Sequence, residues 1–381
     1  MKRSFADILA GLDDDRSRKV ARKLPEWAAL DARRRAAGLD PLEFPSALSL
    51  EQCSSTATAR YKAGLVGFDS VLDLTGGLGV DSWAFSQVAE RVVYFERDAE
   101  LAAAAERNFA RLDATGIEVR CETVTSGTEL PEADLIYADP ARRDAAGRKV
   151  FLLEDCTPDI LTLLPLLLRK APAVLLKLSP MADLAMLAER LGPALREIHV
   201  VELDGEVKEL LCLLLRDPAP AWPEIVVARL SGQAAAAESR FSFRPQEERE
   251  AEAVYAAGVQ PGDVLLEPCP ALLKAGAFRL PCTRWNLRKL APSTHLYTGS
   301  YHPDFFKAWR ISAVLPFGAA AFRQLKQSHP KAEITARNLP LGSDALRKKM
   351  GIAPGGDTHI FGCRLADGSA VLLVCEAEAI S

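Results

Sequence analysis

A glycine-rich turn between an apolar segment and a predicted helix is the strongest chemical signal in the sequence. In the run Val71-Leu-Asp-Leu-Thr-Gly-Gly-Leu-Gly-Val-Asp81, a predicted strand ends at Asp73 and a helix follows the glycines. Gly77 and Gly79 allow positive φ and a close approach of the backbone to a ligand, and the first amides of the helix face the same crevice. A second predicted strand ends at Glu96, whose carboxylate can accept hydrogen bonds from both hydroxyls of a ribose. The pattern therefore predicts a binding site for a ligand that contains a ribose.

Two cofactors fit this pattern, a dinucleotide and S-adenosylmethionine (SAM). A dinucleotide site needs G-x-G-x-x-G/A, and Gly77-Leu-Gly79-Val-Asp-Ser82 ends in serine. A dinucleotide also gives no reason for Asp73, whereas the ammonium group of SAM suits an acid at the end of the first strand. We therefore expect SAM, bound through Asp73, Gly77, Gly79 and Glu96.

A second motif, Asp134-Leu-Ile-Tyr-Ala-Asp139-Pro140-Ala-Arg142-Arg143, follows the fourth predicted strand. Asp-Pro after an apolar strand fixes a rigid turn beside the glycine loop, where the transferred methyl group would sit. A carboxylate there can orient a nucleophilic amine and accept a proton. We predict that Asp139 orients the acceptor amine, with the Pro140 carbonyl as a second acceptor. Arg142 and Arg143 are predicted to hold a phosphate that flanks a base taken out of its stack.

Polar residues follow later strands at the predicted carboxyl-end rim of the sheet. They can line a substrate pocket, or they can form ordinary salt bridges and caps, and the sequence leaves both interpretations open. We take Lys177 and Ser179 as candidate substrate-binding residues. The full set is Lys177, Ser179-Pro180, Glu206 and Lys208-Glu209.

The elements that would position these motifs lie in residues 67–217, where short apolar runs alternate with helical segments. Such alternation indicates a parallel sheet with helices on both faces. Seven strand candidates fit, and we expect the last two to form an antiparallel edge pair. Residues 1–66 are predicted to be helical. The strand candidates are Val71–Leu74, Val92–Phe95, Ile117–Cys121, Leu135–Ala138, Ala173–Lys177, Ile198–Leu203 and Leu210–Leu215.

The C-terminal part differs in charge from the rest of the chain. The proline-rich run 217–223 is a predicted domain boundary, and Thr358–Leu365 and Ala370–Glu376 are predicted to form a hairpin through Asp367-Gly368. Residues 270–350 hold 14 Lys/Arg and three acids, so about +11, and the rest of the chain carries −4 − 11 = −15. Nine aromatic residues are interleaved with these cations. Such a window favours a polyanion with bases that stack, although several of the aromatic residues can also be core residues.

Composition excludes several other classes of protein. None of the eight cysteines forms a C-x-x-C pair and the five histidines lack metal-ligand spacing, so we expect no metal site. The first fifteen residues lack the apolar run of a secretion signal. The most apolar stretch, Ile160 to Leu178, is interrupted by prolines and charged residues and is too polar to span a bilayer. We expect a cytoplasmic protein that makes no contact with a membrane.

On these motifs, residues 67–217 resemble class I SAM-dependent methyltransferases. Thr75-Gly-Gly77-Leu-Gly79 matches the first motif of that family, Glu96 matches its ribose acid and Asp139-Pro140 matches its fourth motif. The resemblance implies an α/β, Rossmann-like, seven-stranded methyltransferase sheet and adds Thr75 to the predicted SAM-binding residues. Enzymes that act on base amines usually have Asp-Pro-Pro-aromatic here, and Ala141-Arg142 is nearer to the Asp-Pro-Pro-Arg of some RNA enzymes. No cysteine follows the fifth strand in 176–180, so covalent chemistry at C5 is not expected.

The resemblance continues past the proline-rich boundary and before the glycine loop. The runs 266–278, 336–340 and 346–349 are similar to a bacterial methyltransferase family that carries a small ferredoxin-like module and a C-terminal THUMP-like domain, and 51–62 is similar to its helical lead-in. This implies a small α+β C-terminal region. The expected domains are an N-terminal helical region at 1–66, a methyltransferase domain at 67–217, a ferredoxin-like module at 224–320 and a THUMP-like domain at 321–381.

Three functions fit these observations. The first is a SAM-dependent methyltransferase that acts on a base nitrogen in RNA, either tRNA or rRNA. The basic window favours this function over the second, a small-molecule methyltransferase whose C-terminal part only covers the pocket. The intact Asp139-Pro140 motif favours an enzyme over the third, a non-catalytic protein that binds SAM or RNA.

Overall fold

The computed structural model describes residues 4–65, 67–140, 157–217, 222–232, 239–300 and 304–378. The chain divides into two compact units, Met1–Ser242 and Phe243–Ser381. The domain limits expected from the sequence stay a prediction.

The first unit begins with the predicted helical region. Side chains cap several of its helices: Ser4 and Asp7 form a capping box, and the Ser55 hydroxyl accepts a hydrogen bond from the Thr58 N–H at 3.1 Å. Apolar residues of these helices, among them Trp27 and Tyr61, share one core with the sheet that follows. The helices are α1 (Phe5–Leu9), α2 (Asp14–Lys23), α3 (Pro25–Ala36), α4 (Ala47–Gln52) and α5 (Thr56–Ala63).

A mixed sheet forms the centre of the first unit. Strands β1 to β5 run parallel, and β7 is antiparallel to both β5 and β6. The antiparallel pairing of β6 with β7 is as the sequence predicts. The strands are β1 (Ser70–Asp73), β2 (Arg91–Phe95), β3 (Ile117–Arg120), β4 (Leu135–Ala138), β5 (Ala173–Leu178), β6 (Leu195–Leu203) and β7 (Glu206–Leu215). The helices among them are α6 (Val80–Phe85), α7 (Ala99–Arg111), α8 (Ile160–Lys170) and α9 (Leu184–Leu191).

The sheet continues past the proline-rich run, which the sequence analysis did not foresee. β8 (Glu224–Leu230) pairs in parallel with β6, with Ile198 opposite Ile225, and β9 (Ser239–Phe243) follows at the edge. The strand order is β3-β2-β1-β4-β5-β7-β6-β8-β9. The predicted edge position of the β6–β7 pair is wrong, because β8 and β9 follow β6 in the sheet. The carboxyl ends of β1, β2 and β4 are therefore neighbours, and the two predicted motifs follow those ends.

The second unit contains a seven-stranded sheet of order β11-β12-β10-β13-β16-β15-β14. The predicted hairpin is confirmed, since β15 and β16 pair antiparallel from Thr358 opposite Glu376 to Arg364 opposite Ala370. The strands are β10 (Val264–Pro268), β11 (Arg288–Lys289), β12 (Tyr297–Thr298), β13 (Phe306–Pro316), β14 (Glu333–Arg337), β15 (Thr358–Arg364) and β16 (Ala370–Ala377). The helices are α10 (Pro245–Glu250), α11 (Pro270–Ala275), α12 (Leu280–Trp285), α13 (Ala319–Ser328) and α14 (Ser343–Met350).

Most of the interleaved aromatic residues belong to the core of the second unit. Trp309 is 4% exposed, Phe305 6% and Phe306 3%, and Tyr297 is fully buried. These buried rings pack against other rings of the same unit, such as Tyr297 against Phe306 and Trp309 against Phe361. They are not available for base stacking, so this part of the predicted polyanion pattern reflects core packing. In the part of the chain that the structure describes, no helix has the length and apolar character needed to cross a bilayer, and no group of acidic, cysteine and histidine side chains is arranged to hold a metal ion.

Candidate active site

The glycine loop is held between β1 and β2 by contacts that only glycine allows. The Gly76 N–H donates to the Phe95 carbonyl at 2.8 Å, and a Cβ on Gly76 would lie 2.0 Å from the Tyr94 ring. Gly79 has φ 82°, and a Cβ there would lie 2.4 Å from the Phe109 ring. At Gly77, by contrast, the nearest atom to an added Cβ is 3.9 Å away. The loop is therefore closely packed at Gly76 and Gly79 and has open space beside Gly77.

The carboxylate of Glu96 lies directly beside this open point. It accepts hydrogen bonds from the Gly77 N–H at 2.8 Å and from the Asp98 N–H at 2.8 Å, and the side chain is half-buried. The Tyr94 hydroxyl fixes the other side of the turn by donating to the Gly77 carbonyl at 2.6 Å. The second strand and the glycine loop thus form one rigid group with an acidic residue at its surface.

Asp73 is fully buried inside the same turn. Its two carboxylate oxygens accept hydrogen bonds from the Thr75 N–H at 3.0 Å and from the Ser82 hydroxyl at 2.6 Å. Burial raises the pKa of Asp73 to about 7; the hydrogen bonds from Ser82 and Thr75 oppose this rise, and the nearby carboxylates of Asp81 and Asp139 add to it. The side chain orders the turn, and its predicted contact with the SAM ammonium stays a prediction.

The two predicted motifs meet through Thr75 and Asp139. The Asp139 N–H donates to the Thr75 hydroxyl oxygen at 2.6 Å, which links the end of β4 to the glycine loop. The carboxylate of Asp139 is 37% exposed and forms an ion pair with the ammonium of Lys177. Pro140 is buried directly behind it. The structure therefore brings together Asp139, Lys177 and the glycine loop, which the sequence predicts as parts of one site.

Lys177 stays charged although it is largely buried. Burial by itself lowers the pKa of an ammonium group, but the neighbouring carboxylates of Asp139, Glu209 and Asp81 outweigh that effect, and the pKa of Lys177 is raised. At neutral pH the predicted acceptor site therefore contains a carboxylate and an ammonium in contact.

Behind this pair lies a buried network of charged groups centred on Lys62, to which the sequence analysis gave no role; Glu209, one of the predicted rim residues, belongs to it as a salt-bridge partner. Lys62 of α5 is fully buried, and its ammonium lies 3.1 Å from Asp81 Oδ1 and 2.9 Å from Glu209 Oε1. Ser54 joins the network to Lys177, with its hydroxyl oxygen 3.4 Å from the lysine Nζ. Burial alone would raise the pKa of Asp81, yet Lys62 and Lys177 hold it below its usual value, while burial raises the pKa of Glu209. The sequence signal for this network was Lys62, which lies in the run 51–62 that resembles the helical lead-in of the family.

The remaining predicted residues have separate outcomes. The Ser179 hydroxyl accepts a hydrogen bond from the Met181 N–H at 3.2 Å, as a local turn. Glu206 and Lys208 form an exposed ion pair on β7, the ordinary alternative that the sequence left open. Arg142 and Arg143 lie outside the described residues.

Comparison with known proteins places this arrangement in a family. A crystal structure of a protein from Porphyromonas gingivalis W83, assigned as a methyltransferase, is 35% identical to this chain. The match covers 99% of this chain and 95% of that chain, and the two structures superpose with a TM-score of 0.80. Identity of this size over the full length decides the family. The chain belongs to this methyltransferase family. Two relatives of the methyltransferase, from Mycobacterium tuberculosis strains CDC 1551 / Oshkosh and H37Rv, are 26% identical over 325 residues, which is 84% of this chain and of each relative, and both are described as uncharacterized S-adenosylmethionine-dependent methyltransferases.

Family models also match the second unit of the methyltransferase. A ferredoxin-like domain matches residues 265–305, and a THUMP domain-like model matches residues 306–377. The predicted family and fold class are thereby confirmed. The methyltransferase is a SAM-dependent enzyme.

Proposed function

We propose that this methyltransferase transfers the methyl group of SAM to a base nitrogen in RNA. The observation that carries the proposal is the hydrogen bond between Thr75 and Asp139, at 2.6 Å, because it holds a cofactor-type loop and an acceptor-type carboxylate side by side. SAM, when bound, supplies an electrophilic methyl group. All other steps are proposed for the side chains and backbone of this chain.

The glycine loop and Glu96 are proposed to hold the adenosyl part of the cofactor, with Thr75, Gly77 and Gly79 shaping the turn. Asp73 is proposed to stabilise the positively charged ammonium group of the methionine part of SAM. Because this carboxylate is buried, its negative charge would act across a short path of low polarity. The methyl group would then lie near the Asp139 carboxylate.

The Glu96→Ala variant is expected to bind SAM about ten- to a hundredfold more weakly, since loss of hydrogen bonds to a charged acceptor costs about 1.5–3 kcal/mol. Calorimetry with SAM and S-adenosylhomocysteine measures the change. Glu118→Ala, which removes an exposed acid on β3, is the control and should leave the affinity unchanged. Wild-type affinity in Glu96→Ala would exclude the ribose assignment.

Asp139 is proposed to orient the acceptor nitrogen by accepting a hydrogen bond from its N–H. An exocyclic amine is a weak nucleophile because its lone pair is delocalised into the base. An acceptor that draws on its N–H, together with the Pro140 carbonyl, favours a pyramidal nitrogen aimed at the methyl group. The proton released from nitrogen passes to the carboxylate or to water. Lys177 and Ser179 are proposed to contact the substrate at the same rim, and Arg142 and Arg143 to hold a flanking phosphate.

The surface of the second unit supports RNA as the substrate class. Helices α13 and α14 pack together and present exposed cations. Since most of the aromatic rings are buried, we propose that this surface binds phosphates and not bases. Its members are Arg323, Lys326, Lys331, Lys348 and Lys349.

Binding of the full-length protein to RNA is expected to weaken steeply with salt, by about 0.7 log units per log unit of salt for each single-strand phosphate contact. Replacing Arg323, Lys326 and Lys348 by alanine should therefore reduce the slope by about 2. Fluorescence anisotropy with a labelled single-stranded RNA measures the slope. The control replaces the exposed Arg22, Arg33 and Arg35 of the N-terminal helices; an equal loss in both triple variants would contradict a specific phosphate surface.

Nucleoside mass spectrometry of RNA from cells with and without the gene tests the proposed function. One methylated nucleoside, with the methyl group on a base nitrogen, should be absent when the gene is absent and return with the wild-type gene. An unchanged set of nucleosides, with a methylated metabolite lost instead, would support the small-molecule alternative. No change in either fraction would favour the binding protein.

A further inference from the structure

Ser54 lies just before α5, and its buried hydroxyl connects three charged side chains. It donates a hydrogen bond to Asp81 Oδ2 at 2.7 Å. It accepts from Lys62 Nζ at 3.2 Å and from Lys177 Nζ at 3.4 Å. A serine hydroxyl has one proton and two lone pairs, so these three contacts use its full hydrogen-bonding capacity.

The contact with Ser54 restricts the ammonium of Lys177. An ammonium group has three N–H donors on a flexible stem. One donor of Lys177 binds the Asp139 carboxylate and another points at Ser54. Two fixed partners on different elements, β4 and the segment before α5, hold the ammonium at one place beside Asp139.

Lys62 anchors Ser54 from behind. The ammonium of Lys62 is fully buried between Asp81 and Glu209, at 3.1 Å and 2.9 Å. Asp81 also accepts a hydrogen bond from the Tyr137 hydroxyl at 2.8 Å. Neither Asp81 nor Lys62 can therefore turn away from Ser54 without breaking buried contacts. Hydrogen bonds therefore connect Lys62 to Ser54, Ser54 to Lys177, and Lys177 to Asp139.

We propose that Ser54, anchored by Lys62, is a positioning residue for methyl transfer, and that it acts by fixing Lys177 against the Asp139 carboxylate. This inference rests on the proposed function, since it takes Asp139 as the residue that orients the acceptor. It makes the N-terminal helical region a part of the active site. Ser54 itself makes no contact with the acceptor in this mechanism.

Several other charged and titratable groups act on this pair or on the groups around it, and they are the same in every variant used below. They belong to α2, the segment before α5, α5, β1, α6, β4 and β7. They are Lys23, Cys53, Lys62, Asp73, Asp81, Tyr137, Lys208 and Glu209.

The NMR signal of the Asp139 carboxyl carbon tests the inference without any substrate. The signal is assigned by its absence in Asp139→Asn and compared at pH 7 in wild type, Ser54→Ala and Ser55→Ala. Ser54→Ala should shift the signal, because Lys177 is no longer held beside the carboxylate. Ser55→Ala is the matched control: Ser55 is equally buried and caps α5 through Thr58, so its loss lowers stability without shifting the signal. A wild-type signal position in Ser54→Ala would overturn the inference.

Kinetics provide the second readout, with total RNA from cells that lack the gene as acceptor. Ser54→Ala should lower kcat about tenfold with an unchanged KM for SAM, as expected for a misplaced group in the transition state. Ser55→Ala should keep the wild-type kcat. Equal kcat values in Ser54→Ala and wild type would also overturn the inference. Wild-type protein that leaves RNA unlabelled would instead contradict the proposed substrate, and the NMR comparison would then decide the inference alone.

Discussion

The Asp139→Ala variant is expected to bind SAM as tightly as wild type and to transfer methyl groups about one hundredfold more slowly, or slower still. The backbone N–H of residue 139, which bonds the Thr75 hydroxyl at 2.6 Å, survives the substitution, so the glycine loop should keep its conformation. What disappears is the carboxylate that would orient the acceptor N–H. Calorimetry with SAM and single-turnover transfer of a labelled methyl group separate the two effects.

Two further variants make this result specific to the carboxylate. Asp139→Asn keeps the shape and one acceptor oxygen but loses the charge that pairs with Lys177, and it should lie between wild type and Asp139→Ala. Glu106→Ala removes an exposed acid on α7 and should match wild type. Wild-type transfer by Asp139→Ala would mean that the acceptor site lies elsewhere on the rim.

The Lys62→Met variant is expected to lose about 3–5 kcal/mol of unfolding free energy. Lys62 is fully buried between Asp81 and Glu209, so its removal takes away the ammonium that contacts both buried carboxylates and leaves Lys177 as a more distant cation. Removing one partner of a buried ion pair costs far more than removing both. Urea unfolding at pH 7 measures the loss.

The pH dependence and a double variant identify the cause of that loss. Burial already raises the pKa of Glu209, and without Lys62 it should rise further. An acid whose folded pKa is raised costs stability above that pKa, so the penalty of Lys62→Met should shrink as the pH falls and Glu209 takes up a proton. Adding Glu209→Gln should recover part of the loss at pH 7. A penalty independent of pH would point to lost packing instead of unbalanced charge.

The parts of this molecule that could be predicted from sequence are those encoded over short distances. The glycine turn, the strand that ends at Glu96 and the Asp-Pro turn are each specified by adjacent residues. Parallel topology then brings their ends to one edge. The same logic gave the hairpin at Asp367-Gly368, where a turn sequence separates two apolar runs.

The missing parts depend on contacts between distant residues. Lys62 meets Glu209 across 147 positions, and a lone lysine in a helical segment more often faces solvent than a buried carboxylate pair. The proline-rich run predicts a domain boundary, yet β8 follows it and extends the sheet. This extension could not be predicted, because the pairing of β8 with β6 is not encoded locally. Aromatic residues such as Trp309 were placed with the cations because spacing does not tell a core ring from a surface ring.

Methyl transfer to RNA in vitro by the purified full-length protein decides whether this chain is an RNA methyltransferase that uses Asp139. The acceptor is total RNA from cells that lack the gene, the donor is SAM with a labelled methyl group, and the RNA is digested to nucleosides for mass spectrometry. We expect one labelled nucleoside with the methyl group on a base nitrogen, formed by wild type and reduced about one hundredfold or more by Asp139→Ala. Label that appears only in a small-molecule extract, or label in RNA that Asp139→Ala transfers as fast as wild type, would contradict it.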